Sequence, residues 1–82
     1  LINLVSDQYI EDVAVTSTGD IYAVAGKGPS NIYRVDARNL SIFEKIGQTS
    51  GRALGTALNK NEDMLAFIDE VEGLKVIDLK TK

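Results

Sequence analysis

The chain of 82 residues contains no cysteine and no histidine. By itself it therefore cannot form a disulfide, a zinc site with Cys or His ligands, a Ser-His-Asp triad or a cysteine nucleophile. The groups left for chemistry are carboxylates, Lys, Arg, Tyr and the backbone. Such groups suit hard cations such as calcium, or general acid–base work by carboxyl groups.

Basic clusters and long apolar runs are also missing. The nine Lys and Arg residues are scattered, and the formal net charge is −3. Binding to nucleic acid or to an anionic membrane surface requires clustered basic residues, so neither partner is predicted. No apolar run approaches the roughly 20 residues that cross a bilayer, which predicts no membrane insertion.

What the sequence does contain is a dense series of turn-forming segments between short apolar runs. Val, Ile, Leu, Phe and Tyr dominate these runs, which recur at a spacing typical of an all-β protein. Turns are predicted at 16–20, 26–30, 36–39, 47–51, 59–63 and 69–73. Strands are predicted near 2–5, 12–16, 21–25, 31–36, 42–46, 53–58, 64–68 and 73–79.

Several of the predicted strands are apolar on both faces. The runs "DVAVT", "IYAVA" and "MLAFI" lack the polar–apolar alternation that a sheet with one wet face shows. These strands are therefore expected to be covered on both sides, as in sheets that stack on similar sheets.

The chain also repeats, because 11–36 aligns with 54–78 at an offset of 43 that drops to 42 in the second turn. In this alignment Val13 to Val15 match Thr56 to Leu58, Asp20 to Tyr22 match Asp63 to Leu65, and Ile32, Val35 and Asp36 match Leu74, Ile77 and Asp78. A period of about 40–45 residues with four strands is typical of propeller blades. Chance similarity between two β segments is the alternative.

Two stretches resemble a known group of six-bladed propellers. "EDVAVTSTGDIYAVAGKGPSNIYRVD" resembles the Pro-Glu-Asp-Ile-Ala opening of strictosidine synthase-like proteins. "GRALGTALNKNEDMLAFIDEVEGLKVID" resembles their Gly-Arg-Pro-Leu-Gly segment, with Ala53 in the place of the usual Pro. The wider group includes paraoxonases and the regucalcin/gluconolactonase proteins.

The resemblance implies about two four-stranded antiparallel blades of a six-bladed β-propeller. We expect 1–9 to supply a strand that completes a neighbouring blade, 10–50 to form blade one, and 51–82 to form an incomplete blade two. The missing blades would come from further copies of this chain or from a remainder of the same protein. Leu1, in the place of an initiator Met, is consistent with a processed or internal piece.

Glu11 and Asp12 are the candidate metal ligands. By the resemblance, an acidic pair at the start of an inner strand faces the channel and binds calcium. Carboxylates are suitable hard ligands, but Ca²⁺ takes about six to eight oxygens, so other blades would supply the rest. The alternative is that Glu11 faces solvent and Asp12 caps a turn.

Arg52 is the candidate substrate-binding residue, because the aligned Gly-Arg starts the second inner strand at the same channel mouth. It would either bind an anionic group of a substrate or pair with Glu11 and Asp12. Asn39 begins an Asn-Leu-Ser sequon, which matters only in a secreted chain. A secreted or lumenal location is what the resemblance favours.

Two functions follow from these expectations. The first is a part of an enzyme that is not complete within this chain, either a calcium-dependent ester or lactone hydrolase or a strictosidine synthase-like enzyme, whose catalytic residues are unknown. The second is a non-catalytic propeller segment with a structural or interaction role. Asp69, Glu70 and Val71 replace the family's usual Asp-Ala-Tyr, and this departure favours the second.

Overall fold

A computed structural model describes residues 10–26 and 28–80. This part of the chain is all-β, with seven strands in two antiparallel sheets. The strands are β1 (Ile10–Val15), β2 (Asp20–Ala25), β3 (Asn31–Asp36), β4 (Phe43–Gln48), β5 (Ala53–Leu58), β6 (Met64–Asp69) and β7 (Gly73–Asp78). Sheet one has the order β1-β2-β3-β4, and sheet two has the order β5-β6-β7.

The strand predictions from 12 to 79 are confirmed, with ends that shift by at most about two residues. The strand predicted near 2–5, and with it the segment 1–9, lies outside the described residues. The boundary predicted between 50 and 51 falls in the connection between the two sheets. Among the described residues there is no helix that could span a membrane.

The strand registers confirm the repeat and correct its alignment. Val15 pairs with Ile21 in sheet one, and Leu58 pairs with Leu65 in sheet two. Ile21 is therefore equivalent to Leu65 and not, as the sequence alignment predicts, to Met64. The β5–β6 connection is one residue longer than its counterpart, and the β6–β7 connection is two residues shorter than the β2–β3 connection.

The hydrophobic core combines one face of each sheet. Its buried residues are Tyr22, Val24 and Ile32 of sheet one and Ala53, Leu65 and Phe67 of sheet two. The sheets approach each other along β1 and β5, the first strand of each. The prediction that these strands are covered by a similar sheet is thus confirmed for one face of each sheet.

Candidate functional site

The acidic pair lies where the two sheets meet, at a β-bulge. The register of β1 shifts between Ile10 and Asp12, so Glu11 is the extra residue of the bulge. Sheet two has a bulge one position further along its first strand, at Gly55 between Leu54 and Thr56, with a φ of +65° that suits glycine. A bulge redirects the side chains beside it. Here the redirected side chains reach the neighbouring sheet.

Asp12 connects the two sheets through the backbone. Its Oδ2 accepts the N–H of Thr56 at 2.9 Å, and its Oδ1 accepts the N–H of Val13 at 2.9 Å. Both carboxylate oxygens therefore accept a backbone hydrogen bond. Asp12 does not cap a turn, as the alternative predicted. It instead accepts a hydrogen bond from Thr56, which lies 44 positions away in the first strand of the other sheet.

Glu11 forms an ion pair with Arg52 across the same junction. The Nε of Arg52 donates to Oε2 of Glu11 at 3.0 Å, and its Nη2 contacts the same oxygen. The Glu11 side chain is only 13% exposed, whereas that of Arg52 is 37% exposed. Of the two predicted roles of Arg52, pairing with the acidic residues is confirmed, and substrate binding stays a prediction.

The arrangement of these groups does not fit a calcium ion within the described chain. A cation near Glu11 would meet the Arg52 guanidinium, and a cation near Asp12 would compete with two N–H donors. Residues 10–26 and 28–80 contain no group of three or more acidic side chains placed to hold a metal. A calcium site here stays a prediction that requires Arg52 to move and other oxygens to be supplied.

A second contact between the sheets comes from Glu62, in the β5–β6 turn. Glu62 has a φ of +59°, at the turn position where the first repeat has Gly19 with a φ of +98°. Its Oε1 accepts the hydroxyl of Ser17 at 2.7 Å, and both of its carboxylate oxygens lie 3.1 Å from the N of Ser17. This contact connects the β1–β2 turn of sheet one with the β5–β6 turn of sheet two.

Asp69 fixes the chain that enters β5. Its carboxylate accepts N–H bonds from Ser50 and Gly51 at 3.0 Å each, and from Val71 at 2.8 Å. Burial raises the pKa of this carboxyl, but backbone N–H bonds outweigh that effect and leave the pKa below its ordinary value. Asp69 therefore has a structural role at the start of the turn predicted at 69–73. The sequence did not predict its hydrogen bonds with the backbone of Ser50 and Gly51.

Two buried hydroxyl groups, which sequence reasoning also missed, join the β2–β3 turn to the same connection. The N–H of Ser30 donates to Oγ1 of Thr49 at 2.8 Å, and Oγ of Ser30 accepts the N–H of Ala53 at 2.9 Å. Short polar residues in turn segments gave no signal of this role, because their partners are about 20 positions away in the chain.

A shallow charged cleft at the far end of sheet one is another feature that the sequence did not predict. Arg34 pairs with Glu44, and Arg38 contacts Asp36 at 3.2 Å. Hydrogen bonds from the backbone and side chain of Arg38 lower the pKa of Asp36. The cleft is lined by Asp20, Arg34, Asp36, Arg38, Ile42, Phe43 and Glu44. Its main charges neutralise one another in pairs.

The sequon residue Asn39 lies in the exposed connection between β3 and β4. Its Oδ1 accepts the hydroxyl of Ser41 at 2.7 Å. Exposure is a requirement for glycosylation, but modification also depends on secretion. Glycosylation and a secreted or lumenal location stay predictions.

A further feature of the surface is apolar. The sheet faces that point away from the core expose large hydrophobic side chains. On sheet one these are Val13, Val15 and Phe43, which lie on the two outer strands on either side of the buried Ala23 and Val35, and on sheet two they are Met64, Ile68, Leu74 and Val76. We call these surfaces free face one and free face two. Isolated exposed hydrophobic residues are ordinary, but aligned neighbours on one sheet face are typical of an interaction surface.

Comparisons of the chain with protein-family models, curated proteins and solved structures found no match.

Proposed function

We propose that this chain is a non-catalytic packing segment of a β-propeller, whose two free faces bind further antiparallel sheets. The observation that carries the proposal is the exposure of free face two. Leu74, on the edge strand β7, is 75% exposed, and Ile68, which pairs with it on the central strand β6, is 52% exposed. Surface of this kind contributes little to the folding of the chain alone and is available to a partner.

The junction between the sheets supports a structural role over a catalytic one. The carboxylates of Glu11, Asp12 and Glu62 are engaged by donors from the opposite sheet. Engaged carboxylates align two sheets, whereas a general base or a metal ligand needs an accessible oxygen. The calcium-dependent ester or lactone hydrolase is therefore the less supported of the two predicted functions.

The proposal is tested by comparing substitutions on the free face and in the core. At a concentration low enough to keep the chain monomeric, Leu74→Lys should change the free energy of unfolding by less than about 0.5 kcal/mol, as surface changes do. Leu65→Ala should reduce it by about 2–5 kcal/mol, because Leu65 is fully buried. Urea unfolding measures both, and Leu65→Val replaces Leu65→Ala if the latter does not fold.

A fluorescent probe that binds apolar surface can distinguish the continuous apolar surface of free face two from a single exposed hydrophobic residue. Leu74→Lys should reduce binding of anilinonaphthalene sulfonate to the folded chain. The matched control Val71→Lys should leave it unchanged, because Val71 is 70% exposed but lies in the β6–β7 turn, off the face. If Leu74→Lys destabilises the monomer as strongly as Leu65→Ala, the face is already covered by the chain itself and the proposal fails.

A further inference from the structure

We infer that the occupant of free face two is a second copy of this chain, which packs on it through free face one. The inference rests on the proposed packing function and names its partner. It follows from the repeat, because the interface inside the chain already shows how two such sheets pack.

The strand registers relate the buried interface to the free faces position by position. Val24, which is fully buried in sheet one, is equivalent to the exposed Ile68 of sheet two. Ile32, which is 2% exposed, is equivalent to Leu74, which is 75% exposed. Free face two is therefore the counterpart of the face with which sheet one packs on sheet two.

The other side of the interface is repeated as well. Leu65, on the core side of sheet two, is equivalent to Ile21, and Leu58 is equivalent to Val15. Ile21 and Val15 pair with each other on free face one. Placing free face one of a second copy on free face two thus continues the packing of the core with side chains of the same type.

The ionic contacts of the internal junction are absent from the free face. By the registers Asp12 corresponds to Leu54, and Glu11, the extra residue of its bulge, has no paired counterpart in sheet two, where the extra residue is Gly55. Thr56, whose N–H binds Asp12, corresponds to Val13 on free face one. The contact between copies would accordingly be apolar at the edge where the internal contact is charged, so its strength should depend little on salt.

The contact between copies should also be weaker than the internal one. Tyr22 and Phe67, both in the core, correspond to Ala66 on free face two and to Ala23 on the side of free face one, where Ala23 is itself only 5% exposed. Two small residues thus stand where the core has two aromatic ones, and less apolar area is buried. Assembly is expected to depend on concentration. Ala66→Tyr, which restores the residue of sheet one, should shift the dissociation midpoint to about two- to tenfold lower concentration, in line with the value of one well-packed aromatic contact.

The contact joins free face one of one copy to free face two of another, and each copy has one of each. Such a head-to-tail contact either closes into a ring or continues as a chain of copies. This property provides a sharp test, because a copy blocked on one face still has the other face intact.

The experiment uses two variants of the full chain, Leu74→Lys on free face two and Val15→Lys on free face one, where Val15 is 61% exposed. Native mass spectrometry and sedimentation are measured on each variant and on a mixture, with one variant labelled with ¹⁵N. Each variant alone should remain an 8.9 kDa monomer at concentrations where the unmodified chain assembles. The mixture should form a labelled–unlabelled dimer of one copy each, and Val71→Lys should assemble like the unmodified chain.

Three results would overturn the inference. They are assembly of either blocked variant alone, a mixture that forms no heterodimer, and an unmodified chain that stays monomeric at millimolar concentration. If the last result occurs while Leu74→Lys leaves the stability of the monomer unchanged, free face two is open but binds something other than a second copy. In that case the packing function stands and only its partner is wrong.

Discussion

The carboxylate of Glu62 binds Ser17, 45 positions earlier in the chain, from a backbone conformation that few non-glycine residues adopt. The hydroxyl of Ser17 lies 2.7 Å from Oε1, and the φ of Glu62 is +59°. The equivalent turn of sheet one uses Gly19, which has no side chain to contribute. Glu62 therefore accepts backbone strain at a place where its side chain holds the two sheets together.

Substitutions at Glu62 separate strain from contact. Glu62→Ala loses the contact with Ser17 and keeps the strained backbone, so it should be the least stable variant. Glu62→Gly also loses the contact but relieves a left-handed conformation that costs about 1 kcal/mol, so it should be more stable than Glu62→Ala by about that amount. Urea unfolding of both variants and of Ser17→Ala measures these differences. Equal stability of the Ala and Gly variants would show that Glu62 is not strained in solution.

Arg52→Lys should lower the free energy of unfolding by about 0.5–1 kcal/mol, because Lys cannot direct two planar N–H groups at Glu11. The matched control is Arg38→Lys. The Arg38 side chain is 76% exposed and contacts Asp36, and its replacement should have almost no effect. Unfolding is measured at low and at high salt. If the free energy of unfolding of Arg52→Lys equals that of the unmodified chain at both salt concentrations, the ion pair with Glu11 does not stabilise the junction.

Asp69→Asn should destabilise the chain at neutral pH and make its stability less dependent on acid. The folded-state pKa of Asp69 lies below its ordinary value of 3.8, so the ionised form favours folding. This contribution is complete above the unfolded pKa and is lost as the pH falls through the folded pKa. Unfolding free energies between pH 7 and pH 2 provide the measurement. A variant that loses stability with acid as steeply as the unmodified chain would contradict this role of Asp69.

Gly51→Ala tests the close approach of the β4–β5 connection to the β6–β7 turn. A Cβ on Gly51 would lie 2.5 Å from a methyl group of Val71 and 3.0 Å from Oδ1 of Asp69. We expect a loss of about 1–3 kcal/mol, as for overpacking. The control is Gly55→Ala, where no atom lies within 4 Å and only the φ of +65° is unfavourable. Thermal unfolding that leaves Gly51→Ala as stable as the unmodified chain would contradict the close packing of this connection.

The residues at the sheet junction show how far sequence reasoning reached. It paired Arg52 with the acidic residues as one of two alternatives, and Glu11 is indeed its partner. It did not predict that Asp12 binds the N–H of Thr56, because a backbone donor carries no sequence signal. It predicted a turn at 59–63 but not the role of Glu62 in that turn, since the contact with Ser17 exists only once the sheets are packed.

The strands themselves were determined locally by the sequence. Turn residues such as Gly19 and Gly73, both with positive φ, punctuate apolar runs that are rich in β-branched and aromatic residues. Each hairpin connects strands that are neighbours in the chain, so its formation depends on short-range information. The all-β class and the approximate strand positions follow from these features alone.

Only the tertiary structure decided which face of each strand is buried. Val24 and Ile68 are similar side chains at equivalent positions, yet the first is fully buried and the second is 52% exposed. The difference arises because Val24 lies in the face that sheet two covers, whereas the described chain supplies no third sheet for Ile68. Burial is a relation between distant segments, and a local pattern of apolar residues predicts that a face needs a cover but not whether the chain provides it.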